Sequence, residues 1–107
     1  MTKQFNVYRN TSTNTRNLLP YYVVVQNDHY DDLSTRIIMP LMRHHKIPRW
    51  YNHIAPQVNI EFDTLNIYAP MISHIDKSQI KPKDFICHLN TARRDIVATI
   101  DALFTNT

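Results

Sequence analysis

The sequence predicts an α+β fold that is mainly β: a small antiparallel sheet covered by one long helix near the C-terminal end. Three stretches carry that expectation. Tyr21-Tyr22-Val23-Val24-Val25-Gln26 is a run of aromatic and β-branched side chains, as in a strand buried on both faces. Gln57-Val58-Asn59-Ile60-Glu61-Phe62 alternates polar and apolar, which gives a strand one apolar face. Leu89, Ala92, Ile96, Val97, Ile100, Leu103 and Phe104 recur at helical spacing and form one apolar stripe along residues 88–104.

The remaining elements follow in chain order. Phe5, Val7 and Tyr8 alternate around Asn6 and predict a first strand that runs to Arg9. Residues 10–17 contain no apolar side chain and predict a mobile loop. After the Tyr21 strand, residues 27–32 form an acidic turn. Thr35-Arg36-Ile37-Ile38-Met39-Pro40-Leu41-Met42 is a third strand, in which Pro40 needs a bulge or an unpaired side because it has no N–H. Residues 43–56 read as an irregular loop punctuated by Pro48 and Pro56. The strand from Gln57 then turns through Asp63-Thr64 into Leu65-Asn66-Ile67-Tyr68-Ala69, giving a hairpin. A short strand is expected near residues 73–76, and residues 77–84 are a polar connection containing Pro82.

Composition bounds the function. The 107 residues are one domain's worth, 43% hydrophobic and 20% charged, which is ordinary globular composition. Twelve Lys and Arg against nine Asp and Glu leave a net charge of +3, too mild for a dedicated nucleic-acid binder, and no direct nucleic-acid binding is expected. Glycine is absent, which removes glycine-rich phosphate loops and leaves every turn to Asn, Asp, Ser, Thr or Pro. No apolar run approaches the ~20 residues of a membrane span, and no apolar segment follows Lys3, so neither a membrane nor a cleaved secretion signal is expected and the default location is cytoplasmic.

Candidate chemistry is sparse. His44-His45 and His53 have no carboxylate at ligand spacing and read as solvated histidines, so no metal is expected. Cys87-His88 could pair a thiol with a base, but neighbouring residues rarely face one another, and a partly buried structural cysteine is the expectation. Asp28, Asp31 and Asp32 lack the spacing of a calcium loop and read as turn or capping residues. The segment from Arg43 to Tyr51 mixes basic and aromatic side chains, including Lys46, Arg49 and Trp50. Such a patch could hold nucleic acid, grip an acidic peptide or simply be solvated. No catalytic constellation or cofactor site emerges, and no enzyme activity is expected.

The order of several segments carries more. Gln4-Phe5-Asn6-Val7-Tyr8 opens the matching segments, then come Tyr22-Val23-Val24-Val25-Gln26-Asn27-Asp28 and Thr35-Arg36-Ile37-Ile38-Met39-Pro40-Leu41. Ala55-Pro56-Gln57-Val58-Asn59-Ile60 follows at the centre, and Ile96, Ile100-Asp101 and Leu103-Phe104 near the end. In order and spacing, over nearly all of residues 1–107, the sequence resembles the CcdB toxins of toxin–antitoxin modules. The resemblance implies one domain with a strongly bent antiparallel sheet, of SH3-like barrel character, and a long C-terminal helix, a fold shared with MazF-type ribonucleases. It implies a homodimer that acts without catalysis, binding the A subunit of DNA gyrase and trapping the cleaved-DNA complex. It also implies an antitoxin whose disordered C-terminal arm folds on binding.

The residues that fall on the family's gyrase-contacting surface are His29, Tyr30, Asp101, Phe104, Thr105, Asn106 and Thr107. The zone of antitoxin contact takes in Arg43, His44, Lys46, Arg49 and Trp50. The family usually has Gly-Ile where this chain has Asn106-Thr107, and two aliphatic residues where it has His29-Tyr30. These departures keep two alternatives open: a diverged protein that binds its antitoxin but no longer poisons gyrase, and a MazF-type endoribonuclease. The second lacks support from the glycine-free sequence, because those enzymes carry a glycine-proline-rich early loop.

Overall fold

A computed structural model describes residues 3–43 and 54–104. Seven strands form one antiparallel, strongly curled sheet: β1 Asn6–Arg9, β2 Tyr21–Val24, β3 Thr35–Arg43, β4 Gln57–Ile60, β5 Asp63–Ile67, β6 Ser73–Asp76 and β7 Phe85–His88. The order across the sheet is β4-β5-β3-β2-β1-β7, with β6 also paired to β3. One helix, α1 Arg93–Phe104, follows the last strand.

Strand alternation builds two cores, one on each face of the sheet. Val7, Tyr21, Val23, Met39, Leu41, Leu65 and Ile67 turn to one face and pack with Phe5, Ala92 and Ile96. Tyr8, Tyr22 and Val24 turn to the other and meet Ile80, Ile38 and Ile75. All four residues of β2 are therefore buried, as the unbroken apolar run predicts. The second core includes a stacked pair, Tyr8 and Tyr22, with ring centroids 5.9 Å apart, and Phe85 meets Tyr8 edge-on at the same separation.

Pro40 sits where a central strand can accept it. The first half of β3 pairs with β6, from Thr35↔Asp76 to Ile38↔Ser73, and the last part pairs with β5, from Leu41↔Ile67 onward. Pro40 lies between the two partners. Its carbonyl accepts from the backbone N–H of Tyr68 at 2.8 Å, and the missing N–H leaves no ladder bond broken on that side.

Several expectations need correction. The hairpin forms, but Asp63 and Thr64 belong to β5, and the turn is Glu61-Phe62, closed by the Ile60↔Asp63 pair. Both turn residues have positive φ, 50° and 71°, the conformation that two-residue hairpins require and that side chains with a Cβ enter at a cost of about 1–2 kcal/mol each. The helix begins at Arg93, not His88, because Phe85–His88 adds a strand to the outer edge of β1 and residues 90–92 make a single 3-10 turn. The edge pairing continues into Leu89, whose N–H donates to the Phe5 carbonyl at 2.8 Å. Residues 10–17, expected to be mobile, are cross-braced by Asn10. Its Nδ2 donates to Thr15 Oγ1 and to the Leu19 carbonyl, and its Oδ1 accepts from the Ser12 N–H. Arg43 is the last residue of β3 and not part of a loop, and residues 44–53 of the expected loop lie outside the described residues.

Candidate functional site

The turn between β2 and β3 is built from its polar residues. Asn27 Oδ1 accepts from the His29 N–H at 2.9 Å and starts a 3-10 turn over Asp28–Tyr30. Asp28 Oδ1 accepts from the Gln4 N–H at 2.8 Å, which ties the turn to the segment just before β1. Gln26 donates to the Tyr30 carbonyl and accepts from the Ile37 N–H. Beneath them lies Arg36, with only 3% of its surface exposed. Its guanidinium donates to the carbonyls of Leu33, Thr35 and Asp31 and to the Asp31 carboxylate at 2.7 Å. The acidic turn thus serves as a folding device, as its spacing predicts. It presents His29 and a half-exposed Tyr30 outward, their rings edge-to-face at 5.0 Å.

Two further predicted contact residues lie on α1. Asp101 and Phe104 are both exposed and one turn apart, and Asp101 borders a shallow depression with Arg93, Arg94, Val97 and Ala98. Thr105, Asn106 and Thr107 lie outside the described residues, as do His44, Lys46, Arg49 and Trp50 of the basic-aromatic segment.

Arg43, the remaining predicted antitoxin contact, opens onto a cationic surface that the sequence does not reveal. Its Nε donates to the Asn17 carbonyl at 2.9 Å, and its Nη1 stands 4.0 Å from Asp63. With Arg9, Arg16 and Tyr21 it lines a cleft of about 310 Å³ beside the 10–17 loop. A larger cleft of about 620 Å³ adjoins it at Arg9, Asn10 and Thr11 and adds Lys81, Lys83 and Asp84. Arg9 and Arg16 lie far in sequence from Lys81 and Lys83, and only the fold brings the two pairs to adjoining clefts. The one local hint is that Arg9 and Arg16 flank the Thr/Ser/Asn-rich loop.

Tyr22 forms part of the larger cleft. Burial, with the nearby Asp84 carboxylate and Tyr8 adding to it, pushes its phenol from 10.0 up to about 12. The folded state therefore holds this proton after the unfolded chain has released it. The stability this represents is intact below about pH 10 and lost as pH rises through about 12. Urea unfolding of the wild type should weaken more steeply above pH 10 than that of Tyr22→Phe. Parallel profiles for the two proteins would show that Tyr22 titrates as an ordinary phenol.

Cys87 and His88 do not act together. Burial, and secondarily the Glu61 charge, raises the thiol pKa, while His88 Nδ1 lies 2.8 Å from Asn6 Oδ1 across the β1–β7 pair. Among the described residues no group of three or more His, Cys, Asp or Glu could hold a metal ion, and no helix is long and apolar enough to cross a membrane.

A curled antiparallel sheet with one docked helix and exposed aromatic and cationic features sets the class: a small, mainly β, α+β protein. Within it, the chain belongs to the CcdB family, whose family model, described as CcdB protein, matches residues 4–106. No curated protein matches the chain. Membership supports the toxin of a toxin–antitoxin module.

Proposed function

We propose that this protein is a non-enzymatic, homodimeric toxin that binds the DNA gyrase A subunit and traps the cleaved-DNA complex. The carrying observation is that Tyr30 and Phe104, both exposed, sit on a turn braced by buried Arg36 and on the last residue of a helix packed into the core. Aromatic side chains on ordered supports lose little entropy on binding and serve well as interface anchors. His29 and Asp101 supply polar contacts beside them, and the resemblance adds Thr105, Asn106 and Thr107 to the proposed contact residues. Gyrase-mediated DNA cleavage with purified protein tests the reading. Phe104→Ser should reduce cleavage at a fixed toxin concentration by about tenfold or more. Cleavage that is strong and indifferent to Phe104 would move the contact elsewhere.

The cationic cleft favours a second reading, in which the chain binds its antitoxin without poisoning gyrase. Arg43 with Arg9 and Arg16 would receive an acidic, disordered antitoxin arm, and His44, Lys46, Arg49 and Trp50 would continue that contact. Absence of gyrase-mediated cleavage, together with salt-sensitive binding of the cognate arm, would select this reading.

A further inference from the structure

The larger cationic cleft, of about 620 Å³, is walled by ordered backbone on both sides. On one side Arg9 ends β1 and leads into the 10–17 loop that Asn10 braces. On the other lies the connection from β6 to β7. Asp76 Oδ1 accepts from the Ser78 N–H at 2.9 Å and starts one 3-10 turn. Ile80 is buried in the second core, and Pro82 opens a further 3-10 turn that ends at Asp84. Lys81 and Lys83 therefore extend from a segment anchored by a buried side chain. The ion pairs among the described residues are Arg36–Asp31 and Arg43–Asp63, so Arg9, Lys81 and Lys83 face the cleft without a carboxylate partner.

An apolar pocket of about 210 Å³ adjoins this cleft and shares Asn10, Tyr22 and Ile75 with it, adding Leu19, Ile38 and Met71. The two together present cations at one end and an apolar wall at the other. Three cations against one carboxylate, Asp84, leave an excess that a phosphate monoester balances, since it carries about −1.5 to −2 near neutral pH. Tyr22, whose phenol is pushed up to about 12, stays uncharged and adds no repulsion. Asp84 is half-buried and acceptor-only, which fits hydroxyl groups lying between the phosphate and an apolar body. The cleft volume falls within the roughly 300–1,000 Å³ of small-molecule sites. We propose that the cleft and pocket together bind a nucleoside monophosphate, with its phosphate on Arg9, Lys81 and Lys83, its sugar hydroxyls on Asp84 and its base against Tyr22, Ile75 and Met71. The site uses none of the residues proposed to contact gyrase and shares only Arg9 with the proposed acidic-arm contact.

Calorimetric titration with each of the four ribonucleoside 5′-monophosphates tests it, beside adenosine and inorganic phosphate as the separate halves. At least one monophosphate should bind with a Kd below about 1 mM, and adenosine and phosphate alone should each bind about tenfold more weakly or worse. Lys81→Glu combined with Lys83→Glu, both on exposed side chains, should weaken the monophosphate by about tenfold or more, while Arg43→Glu in the neighbouring cleft should leave it unchanged. In the wild type, 15N amide shifts should move at residues 81–84 and at Met71 and Ser73, and stay still along α1. Failure of all four monophosphates to bind, inorganic phosphate binding as tightly as they do, or shifts confined to other segments would overturn the inference. So would a ten-nucleotide RNA that binds far more tightly than any monophosphate and loses that gain with Arg43→Glu, because the cations would then form a track for a polynucleotide backbone.

Discussion

Arg36→Met is expected to lower the unfolding free energy by about 3 kcal/mol, the low end of the range for removing one partner of a buried ion pair. The reason lies in what the guanidinium holds. Leu33, Thr35 and Asp31 each offer it a backbone carbonyl, at 2.6–2.8 Å, and the Asp31 carboxylate completes the set. Methionine fills the volume but donates nothing, so three carbonyls and a carboxylate lose their donors at once. Water reaches some of them, because the Asp31 side chain is 37% exposed, which keeps the cost below the sum of the separate bonds. Asp31→Asn preserves an acceptor and should cost only about 1 kcal/mol. For a chain of this length each kcal/mol corresponds to roughly 4 °C, so Arg36→Met should melt about 12 °C below the wild type. Urea denaturation of both variants measures the order, and an Arg36→Met loss no larger than that of Asp31→Asn would show that the turn stands without its arginine. The same variant should also weaken any partner that reads His29 and Tyr30, because those side chains depend on the braced turn for their position.

The other large effect belongs to the helix. Ile96→Ala should cost about 3 kcal/mol, within the range for removing a buried aliphatic side chain. An isolated helix of 12 residues is marginal in water, so α1 depends on its buried face for its existence. Ile96 is 1% exposed and lies in the larger core, with Leu89, Ile100 and Leu103 packed around that core as partly buried neighbours. Val97, next in sequence, points outward, and Val97→Ala should stay within about 0.5 kcal/mol. Thermal unfolding followed by circular dichroism separates the two. Similar losses for both would mean that α1 is rotated relative to the register described above.

The two substitutions also divide what was readable in the sequence from what was not. Ile96 and Val97 both belong to the apolar stripe, and the stripe identifies a helix correctly. The stripe overruns the helix N-terminus by five residues because Leu89 fits helical spacing while extending an edge strand. β7 has no alternating signature: Phe85 and His88 are exposed, and Ile86 and Cys87 between them are partly buried. Its partner, β1, lies about 80 residues away, so no local pattern announces the pairing. The hairpin turn departs from its local turn chemistry for a different reason. Asp63-Thr64 has the better turn chemistry, but the Val58↔Leu65 and Ile60↔Asp63 register sends Ile60 and Leu65 to the core only if Glu61-Phe62 takes the strained corner.

The candidate surfaces divide in the same way. His29, Tyr30, Asp101 and Phe104 were found by resemblance, and Arg43 by its place at the head of a basic-aromatic run. Arg9, Arg16, Lys81 and Lys83 carry no motif, and the fold alone makes neighbours of them.

Residue order by itself determined strands β1 to β6, the two-faced burial of β2, the helix stripe and the family, because side-chain periods of 2 and 3.6 are local and survive in a single sequence. Only the tertiary structure decided that β1 lies between β2 and β7, that cations from distant segments line one cleft, and that one phenylalanine at positive φ, Phe5, is buried while the other, Phe62, meets solvent. Those outcomes depend on contacts across tens of residues, where the free energy comes from shared burial and ladder pairing and leaves no mark in neighbouring positions.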